Sequence, residues 1–260
     1  MIKIASWNVN SIRARLKNLI EWINKETPEV LLLQETKTLD STFPNSEIED
    51  LGYNVITLGQ KSYNGVAILS KSMPEDIIYS LPGNEDDDQA RFIEATVYNK
   101  VRVASIYLPN GNPVNTDKFD YKIKWMDHLY SHIKNSLASE EICVFAGDYN
   151  VIENDTDVFD PIAFRDDALT HKETRDIFKK INNLGVINAF KILNTSTHQY
   201  SYWDYQRGAW QKDNGLLIDH ILLSPEASDL LINSGIDREP RGKEKASDHT
   251  PIWCELDIKE

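Results

Sequence analysis

Short apolar runs separated by polar turns recur along the chain and predict β-strands. Their length and their content of Val and Ile are typical of strands rather than helices. Such runs are IKIASW, VLLLQ, YNVITL, GVAILS, RFIEATVY, RVASIYL, ICVFAG, LLIDHILL and TPIWCEL. Two of them, Arg91–Tyr98 and Val101–Leu108, have only Asn99 and Lys100 between them, which predicts a tight antiparallel hairpin.

Apolar residues at helical spacing predict three helices. The first runs from Ser11, in the N-cap position, to Glu26, and a second lies between Asp117 and Leu137. A third begins near Thr170, which has the spacing of a capping box with Glu173. Hairpins mixed with helices exclude an all-parallel doubly wound sheet. They favour an α/β fold in which two packed sheets are flanked by helices.

The chain has 260 residues and shows no Pro/Gly/Ser-rich linker, low-complexity tract or fixed-period repeat. We therefore expect residues 1–260 to form a single domain. No basic leader with a long apolar core opens the sequence, and no apolar run is long enough to span a bilayer, so we expect a cytoplasmic protein without membrane association. Cys143 and Cys254 lie in apolar runs and are expected to be buried, reduced thiols rather than a disulfide.

The formal net charge of −13 argues against a protein that holds nucleic acid simply by being basic. It does not exclude nucleic acid as a substrate, because a locally basic cleft can operate on an acidic body. Two basic segments occur, SIRARLK at residues 11–17 and REPRGKEK at residues 238–245. Each fits contacts to an anionic ligand, although a solvated face is the more common explanation of a single charged run.

Polar residues stand at the ends of six predicted strands, where layered α/β folds assemble their sites. These residues are Asn8 and Asn10, Glu35 and Lys37, Tyr107 and Asn110, Asp148 and Asn150, Asp219 and His220, and Asp248 and His249. On strand alternation His220 points to the other face. If these ends converge, they form a pocket of carboxylates, amides, one phenol and one imidazole.

The residue types of this pocket suit a hard cation, Mg²⁺ or Mn²⁺, because no cysteine or paired histidine is placed for zinc. The candidate oxygen donors are Glu35, Asp148, Asp248, Asn8 and Asn150. Protein-bound Mg²⁺ commonly shares phosphate oxygens with its substrate, so a phosphate ester is the expected partner. The acidic run Glu85–Asp88 is an alternative metal cluster, although consecutive acids on a turn usually face water.

Hydrolysis of a phosphate ester requires an activated water and stabilisation of the phosphoryl oxygens. Asp148 is placed to take the proton of the water, while Asn150 and His249 donate to the non-bridging oxygens. Asp219 is placed to orient the imidazole and keep it protonated. Tyr107 is placed to donate toward the phosphate or the leaving group, although an ordinary strand tyrosine is an equal alternative.

A series of motifs resembles the exonuclease III family of bacterial DNA-repair nucleases and matches it in order from about residue 4 to residue 254. The motifs are WNVNSIRAR, LLLQETK, YNGVAILSK, DDQARFIEA, YLPNG, FDYKIKWMDHL, FAGDYNVI, DVFDP, YSYWDYQRGAW, IDHILLS and SDHTP. The resemblance implies a four-layer sandwich of two mixed β-sheets flanked by helices, the endonuclease/exonuclease/phosphatase fold. It also implies Mg²⁺-dependent cleavage of duplex DNA 5′ to abasic sites and 3′→5′ removal of nucleotides from duplex ends.

The resemblance assigns roles to residues that match the motifs of the family. It implies a metal site with Glu35 as principal ligand, joined by Asn8, Asp148, Asn150, Asp248 and His249. It implies a catalytic set of Tyr107, Asp148, Asn150, Asp219 and His249. It implies contacts to DNA phosphates from Arg13, Arg91 and Asn110, and an apolar pocket for the baseless sugar formed by Tyr202, Trp203, Leu216 and Ile218. Alone, Trp203 would be interpreted as a core aromatic residue.

The expected partner is double-stranded DNA with abasic sites or 3′ ends, bound by a monomer. One departure from the family pattern is Leu217, in GLLIDH, where many members carry an arginine. Any phosphate or base contact made by that arginine is missing here, which affects the balance between exonuclease and abasic-site cleavage.

Two alternative functions remain. A phosphatase of the same architecture, acting on inositol phosphates or a sphingolipid headgroup, would keep the carboxylates and His249. It gives no reason for the FDYKIKWMDHL helix or the YSYWDY segment. A DNA-binding module without catalysis is the other alternative. The presence of Glu35, Asp148, Asn150, Asp219, Asp248 and His249 argues against it.

Overall fold

Two six-stranded β-sheets pack against each other in the computed structural model, which describes residues 1–258. In chain order the strands are β1 (Ile2–Asn8), β2 (Val30–Gln34), β3 (Asn54–Leu58), β4 (Val66–Ser70), β5 (Glu75–Ile78), β6 (Phe92–Val97), β7 (Val101–Tyr107), β8 (Ile142–Asp148), β9 (Ile187–Asn188), β10 (Asp219–Leu223), β11 (Leu231–Ile236) and β12 (Ile252–Leu256). The first sheet has the order β11-β12-β1-β2-β4-β3, and the second has the order β5-β6-β7-β8-β10-β9. Each sheet is mixed, because β1–β2 and β7–β8 are parallel pairs among antiparallel ones.

The nine apolar runs all form strands, and the hairpin predicted around Asn99 and Lys100 is the β6–β7 pair. The sequence pattern missed β5, β9 and β11. The strands β5 and β11 expose part of their length at sheet edges, and β9 has two residues, so none of the three carries a long apolar run. Central strands are easier to recognise because both faces are covered: all five residues of β2, VLLLQ, are buried.

Helices cover the outer faces of the sheets. In chain order they are α1 (Ile12–Glu26), α2 (Asn45–Glu49), α3 (Asp117–Leu137), α4 (Lys172–Asn182), α5 (Ala189–Leu193) and α6 (Pro225–Ser228). None of the helices within residues 1–258 combines the length and apolar character that crossing a bilayer requires. The two cysteines are buried and free, as expected.

The N-cap predicted for the first helix is confirmed, whereas the capping box predicted at Thr170 is wrong. Ser11 is the N-cap of α1, but its side chain makes no capping hydrogen bond and its φ of 86° lies in the left-handed region. Its backbone N–H donates instead to the carbonyl of Glu35 at 2.7 Å. The N-cap of α4 is His171, whose Nδ1 accepts the N–H of Glu173 at 3.4 Å, while the Thr170 hydroxyl donates to backbone carbonyls in the preceding loop.

Three apolar cores produce four layers, helix–sheet–sheet–helix, which confirms the predicted fold class. The core between the sheets includes Ile4, Leu32, Val103 and Val144. The core under α1 includes Trp7, Leu19, Trp22 and Leu31. The core under α3 and α4 includes Leu129, Phe145, Ile177 and Phe178. The single domain predicted for residues 1–260 stays a prediction, and Lys259 and Glu260 lie outside the described residues.

Strand register brings the polar strand ends together. In the first sheet Asn8 pairs with Gln34, so that Glu35 follows directly beside it. In the second sheet Tyr107 pairs with Asp148, and Asp219 lies opposite Asp148 on the other side. The two sheets therefore present their functional side chains at the same end of the sandwich.

Candidate active site

A cavity of about 660 Å³ opens where the central strands of both sheets end. Its polar lining includes Glu35, Tyr107, Asn110, Asp148, Asn150, Asp248 and His249. Its apolar lining includes Phe159, Phe164, Leu169, Leu216 and Ile218. The cavity thus combines a cluster of charged groups with an apolar surface.

Asp148 is a buried carboxylate in the polar lining. Its Oδ1 accepts the backbone N–H of Asn150 at 2.9 Å, and its Oδ2 accepts Nδ2–H of Asn8 at 2.9 Å. Burial raises the pKa of Asp148 to about 7; the charge of His249 opposes this shift and the carboxylate of Asp219 adds to it. A carboxylate that titrates near neutrality is suited to act as a general base at physiological pH.

The amide of Asn8 orients two carboxylates. Its Nδ2 lies 3.0 Å from Oε1 of Glu35 and 2.9 Å from Oδ2 of Asp148, while its Oδ1 accepts the backbone N–H of Asn10 at 3.0 Å. A backbone N–H can only donate, so this contact fixes which amide atom faces the carboxylates. Asn8 presents N–H groups rather than its oxygen to them, and this geometry does not support Asn8 as a metal ligand.

Glu35 is paired with Lys37, whose Nζ lies 2.6 Å from Oε2 of the carboxylate. The same ammonium group donates to Oδ1 of Asn10 at 2.5 Å. Burial works to raise the pKa of Glu35, but the charge of Lys37 and the hydrogen bond from Asn8 hold that pKa below its ordinary value. Glu35 is therefore an ionised carboxylate at the edge of the cavity.

His249 lies between two carboxylates. Its Nδ1 is 2.8 Å from Oδ2 of Asp219, and its Nε2 is 3.6 Å from Oδ2 of Asp148. Burial opposes protonation of the imidazole, but these two carboxylates outweigh it and raise the pKa of His249 to about 10. The Ser201 hydroxyl donates to the same Oδ2 of Asp219 at 2.5 Å, which helps to fix the carboxylate. A protonated imidazole has no lone pair for a metal ion, so this geometry favours a cationic role over the predicted ligand role.

Ser247 anchors the backbone that carries His249. Its hydroxyl donates to the carbonyl of Asn8 at 2.7 Å, and its oxygen accepts the N–H of His249 at 3.2 Å. The indole N–H of Trp7 donates to the carbonyl of His249 at 3.2 Å. These contacts fasten the segment before β12 to the end of β1.

A fully buried lysine supports two asparagines of the cavity. Nζ of Lys122 donates to the carbonyl of Asn150 at 2.6 Å and to the carbonyl of Asn110 at 3.1 Å. Nδ2 of Asn110 donates to Oδ1 of Asn150 at 3.0 Å, and Nδ2 of Asn150 donates to the carbonyl of Leu108 at 2.9 Å. The side-chain oxygen of Asn150 accepts one hydrogen bond and keeps a second lone pair, so its predicted role as a metal ligand stays a prediction.

Replacing Lys122 by methionine should lower the rate of catalysis at saturating substrate by roughly a hundredfold, because a displacement of about 1 Å in the reacting groups has that effect. The buried carbonyls of Asn110 and Asn150 would lose their donor, and the loops that carry both amides would relax. Burial lowers the pKa of Lys122 to about 7, so replacing this residue also removes the free-energy cost of burying its amine. We therefore expect only a small change in melting temperature. Steady-state kinetics measures the expected loss of turnover, and thermal denaturation measures the change in melting temperature. An unchanged turnover would contradict the supporting role of Lys122.

Tyr107 and Arg91 form a stacked pair behind the carboxylates. The guanidinium of Arg91 lies 4.7 Å from the centroid of the Tyr107 ring, and its Nη1 donates to the carbonyl of Tyr107 at 3.2 Å. Burial, with the charges of Glu35 and Asp148, raises the pKa of Tyr107 well above its ordinary value. The phenol therefore stays neutral and can donate a hydrogen bond.

Four residues of the site have backbones in the left-handed region. Their φ angles are 42° for Asn10, 51° for Glu35, 53° for Lys37 and 46° for Asn150. Such conformations cost about 1–3 kcal/mol each for residues other than glycine and cluster at functional sites. The strand ends are bent here so that side chains turn into the cavity.

Asp248 lines the cavity from the segment before β12. Its Oδ1 accepts Nδ2–H of Asn10 at 3.0 Å, and the same nitrogen lies 3.3 Å from the phenol oxygen of Tyr205. Asp248 is not part of the compact set formed by Glu35, Asp148 and His249. Its predicted contribution to metal binding would therefore be at the periphery of the site.

The predicted apolar pocket is present except for Trp203. Tyr202, Leu216 and Ile218 line the cavity, and the ring of Tyr202 packs edge-on against His249 with 4.9 Å between centroids. Trp203 does not line the cavity: it is fully buried, and its indole N–H donates to Asp213 at 3.0 Å. Adjacent side chains of an extended segment point to opposite faces, so only one of Tyr202 and Trp203 can face the cavity.

Trp203→Ala should destabilise the protein by about 3–5 kcal/mol, the usual cost of deleting a buried tryptophan. At about 2–4 °C per kcal/mol for a chain of this size, the melting temperature should fall by roughly 10 °C. Tyr202→Ala is the matched variant, since it alters the cavity wall and should affect catalysis more than stability. Thermal denaturation of both variants decides this, and an unchanged melting temperature for Trp203→Ala would show that the indole is not part of the core.

Arg13, Arg91 and Leu217 lie outside the cavity lining. Arg13 is exposed in the first turn of α1, and Arg91 lies behind Tyr107. Leu217 is buried between the cavity-lining Leu216 and Ile218, and its N–H donates to the carbonyl of Asp157 at 2.8 Å. The position that carries an arginine in many family members is thus used here for packing.

The carboxylates of the site fit a divalent cation. Ligand atoms of Glu35, Asp148 and His249 lie within 4.8 Å of one another. Because Asp219 also stands close to Asp148, negative charge is in excess and raises the pKa of Asp148, and a cation would relieve this repulsion. Since His249 is protonated, Glu35 and Asp148 are the two groups positioned to hold the ion through oxygen, which indicates a hard metal ion.

Sequence reasoning missed three residues of the site and named a fourth, Lys37, without giving it a role. Lys37 pairs with Glu35, Lys122 donates to the carbonyl of Asn150, Ser201 fixes Asp219, and Tyr205 contacts Asn10. The sequence contains a signal for Lys122: this lysine lies at helical spacing from the buried apolar residues of α3, and it therefore interrupts the apolar face of the helix. No local pattern marks Ser201, because its partner is distant in the chain.

Comparisons with known proteins agree with this geometry. Residues 5–249 match the model of the Endonuclease/Exonuclease/phosphatase family. The chain is 34% identical over 266 residues to exodeoxyribonuclease III of Haemophilus influenzae, covering 98% of this chain and 100% of the relative. It resembles the structure of an AP endonuclease from Archaeoglobus fulgidus at 33% identity and a TM-score of 0.95, covering 99% of this chain and 100% of the other. It also resembles a 3′ phosphatase from Neisseria bound to a product DNA hairpin, at 34% identity and a TM-score of 0.96 with the same coverage.

Proposed function

Because this chain belongs to the endonuclease/exonuclease/phosphatase family, we propose that it is a DNA-repair nuclease that hydrolyses phosphodiester bonds in duplex DNA. In finer detail, we propose cleavage 5′ to abasic sites and 3′→5′ removal of nucleotides from duplex ends. The similar proteins described above are named as an exodeoxyribonuclease, an AP endonuclease and a 3′ phosphatase, and a DNA hairpin is bound in the last of them.

One observation supports this function above the others: His249 stands between Asp219 and Asp148 beside the ionised Glu35, at the rim of a partly apolar cavity. The charged groups suit a phosphate ester, and the apolar lining suits a sugar without a base. A site for a small, highly charged inositol phosphate would require more cationic groups than this cavity lining provides among the described residues.

Asp148 is the general base in this proposal. Its pKa of about 7 allows it to accept a proton from a water molecule at physiological pH. The hydrogen bonds from Asn8 and Asn150 hold its two oxygens in place. The water whose proton it takes attacks the phosphorus atom, the P–O bond to the 3′ oxygen of the leaving strand breaks, and that oxygen is released as a 3′ hydroxyl after protonation by solvent.

His249 stabilises charge on the phosphoryl group. Asp219 holds the Nδ1 side of the imidazole, so the Nε2–H is directed into the cavity as a charged donor. A preorganised charged donor acts most strongly on the oxygens where negative charge increases in the transition state. Asn150 and the neutral Tyr107 supply further hydrogen bonds to the phosphate oxygens.

Glu35 and Asp148 would hold a Mg²⁺ ion in this proposal, with Mn²⁺ as a substitute and Asp248 at the periphery. A bound ion of this kind supplies electrostatic stabilisation to the phosphoryl oxygens and the leaving oxygen. The ammonium group of Lys37 forms an ion pair with the carboxylate of Glu35 and keeps that carboxylate ionised. Asn8 keeps the two carboxylates at a fixed separation.

A related activity, removal of a 3′ phosphate from DNA, is a second candidate. The observation that favours it is the similarity to the Neisseria structure described as a 3′ phosphatase. With the same residues, the water activated by Asp148 would attack a terminal phosphate monoester and break its P–O bond to the 3′ oxygen, which releases inorganic phosphate.

Three labelled duplexes test these activities: one with an internal abasic analogue, one with a recessed 3′ end and one with a 3′ phosphate. Each is incubated with Mg²⁺, with Mn²⁺ and with chelator, beside an inositol phosphate as the rival substrate. We expect cleavage of the abasic duplex and shortening of the recessed end with metal only. Release of phosphate from the inositol compound with intact duplexes would overturn the proposal.

A further inference from the structure

A second, strongly basic cavity lies beside the active site. It has a volume of about 340 Å³ and is lined by Ala14, Arg15, Tyr205, Arg241, Lys243, Lys245 and Ala246. It unites the two basic segments of the sequence, since Arg15 comes from α1 and the other cations come from the segment before β12. We call it the basic cavity.

The charge of the basic cavity is unusual for this chain. Its lining carries four cationic side chains and, among the described residues, no carboxylate, although the formal net charge of the chain is −13. Of these cations, Lys243 is paired with Glu239 at 3.0 Å on the exposed side. Four like charges around one small cavity repel one another and create a local positive potential that favours a bound anion.

The two arginines of the basic cavity are held in place by hydrogen bonds from Nη2, and each has a further N–H donor without a partner among the residues that the structure describes. Nη2 of Arg15 donates to the phenol oxygen of Tyr205 at 2.8 Å, and Nη2 of Arg241 donates to the carbonyl of Trp203 at 2.9 Å. Nε of both arginines is buried without a hydrogen-bond partner in the described part of the chain. Arg241 is itself 8% exposed, so its unpartnered donor is a buried polar group that requires a ligand or water. Arginine forks of this kind match the oxygens of a phosphate.

The basic cavity is connected to the active site by one hydrogen-bonded chain. The phenol of Tyr205 contacts Arg15 on one side and Asn10 on the other, and Asn10 donates to Asp248 in the catalytic cavity. The residues flanking Tyr205, Asp204 and Gln206, line the catalytic cavity. An extended strand bound in the active site therefore has a direct route to the basic cavity.

We propose that the basic cavity binds a backbone phosphate of the same DNA molecule whose scissile phosphate lies in the active site. This inference rests on the proposed function. The half-exposed ring of Tyr205 offers a surface for the adjoining sugar, and Lys245 is exposed at the rim to meet the phosphate. Through this contact a protein with a net negative charge would bind a polyanion at one local site.

The test measures binding of a fluorescent duplex with an abasic analogue, in chelator so that it is not cut, over a series of salt concentrations. The variants are Arg15→Gln, Lys245→Gln and their combination, with Arg15→Lys to restore the charge. The matched control is Lys134→Gln with Lys180→Gln, the same loss of charge near the C-terminal ends of α3 and α4. Each variant is also titrated with inorganic phosphate alone.

The combined variant should bind DNA roughly tenfold more weakly at about 0.1 M salt, and its plot of log affinity against log salt should be shallower by about 1, the value for one lost phosphate contact. Arg15→Lys should recover most of the slope, and the control should match the wild type. Equal DNA binding by the combined variant and the control would overturn the inference. So would loss of inorganic phosphate binding with DNA binding intact, because the cavity would then take a free ion. Failure of the proposed function is distinct, since the wild type would then leave the abasic duplex uncut in Mg²⁺.

Discussion

Replacing Glu35 by alanine should lower DNA cleavage by at least about a thousandfold, since metal-ion catalysis supplies several kcal/mol and each 1.4 kcal/mol is a factor of ten. The fold should remain, because Glu35 lies at a strand end beside a polar cavity and contributes no apolar contact to the core. The ammonium of Lys37 and the amide of Asn8 would both lose their acceptor.

The measurement is single-turnover cleavage of an abasic duplex across a Mg²⁺ series, with circular dichroism as the control for folding. Glu49→Ala is the matched variant, because Glu49 is an exposed acid at the end of α2 and should leave cleavage unchanged. The Glu35 variant should require more Mg²⁺ for its residual activity. Full activity of this variant in chelator would contradict the metal site.

The second large effect concerns the pair formed by Asp219 and His249. His249→Asn keeps a donor of similar reach but loses the charge, and turnover should fall by roughly a hundredfold or more, as for removal of a transition-state donor. Asp219→Asn should have a similar effect, because the amide can no longer hold the imidazole charged and correctly oriented. The combined variant should be little worse than either, since residues that act as a unit are not additive.

The pH dependence follows from two pKa values. Cleavage should fall at alkaline pH as His249 loses its proton near its pKa of about 10. The acid limb of the profile should lie below pH 7 in Mg²⁺, because a bound cation relieves the charge repulsion that helps to raise the pKa of Asp148 to about 7. His249→Asn should therefore lose the alkaline decline. Single-turnover cleavage over a pH series for the three variants tests this. A multiplicative loss in the combined variant would mean that Asp219 and His249 act separately.

The site was largely predictable where its residues follow buried strands. Asp148 and Asp219 follow apolar runs whose ends must meet at one edge, and the structure places them on adjacent strands. Ser201 was missed because its role depends on Asp219, which lies 18 residues further along the chain. Lys37 was noted at a strand end but given no role, because its pairing with Glu35 depends on the left-handed backbone of both residues after β2. Trp203 was misplaced because a motif indicates proximity to a pocket but not which of two adjacent side chains faces it.

The fold was predictable for a related physical reason. Strands covered on both faces, such as β2 and β4, are continuous apolar runs and stand out in any sequence. Edge strands such as β5 and β11 keep one side toward water, so their pattern resembles that of a loop. The capping of α1 was not predictable, because its first N–H groups are satisfied by backbone carbonyls after β2 rather than by a side chain.

The pairing of β1 with β12 has a consequence for a chain that is still being synthesised. Asn10 and Asp248 meet in the site although they are 238 residues apart, and His249 is fastened to Trp7 and to Ser247. A nascent chain that has not yet extended its β12 segment from the ribosome lacks the imidazole, its anchor and the strand that positions them. Such a chain can form most of the second sheet and still be inert toward DNA. The order of residues along the polypeptide thus delays hydrolytic activity until translation has passed the β12 segment.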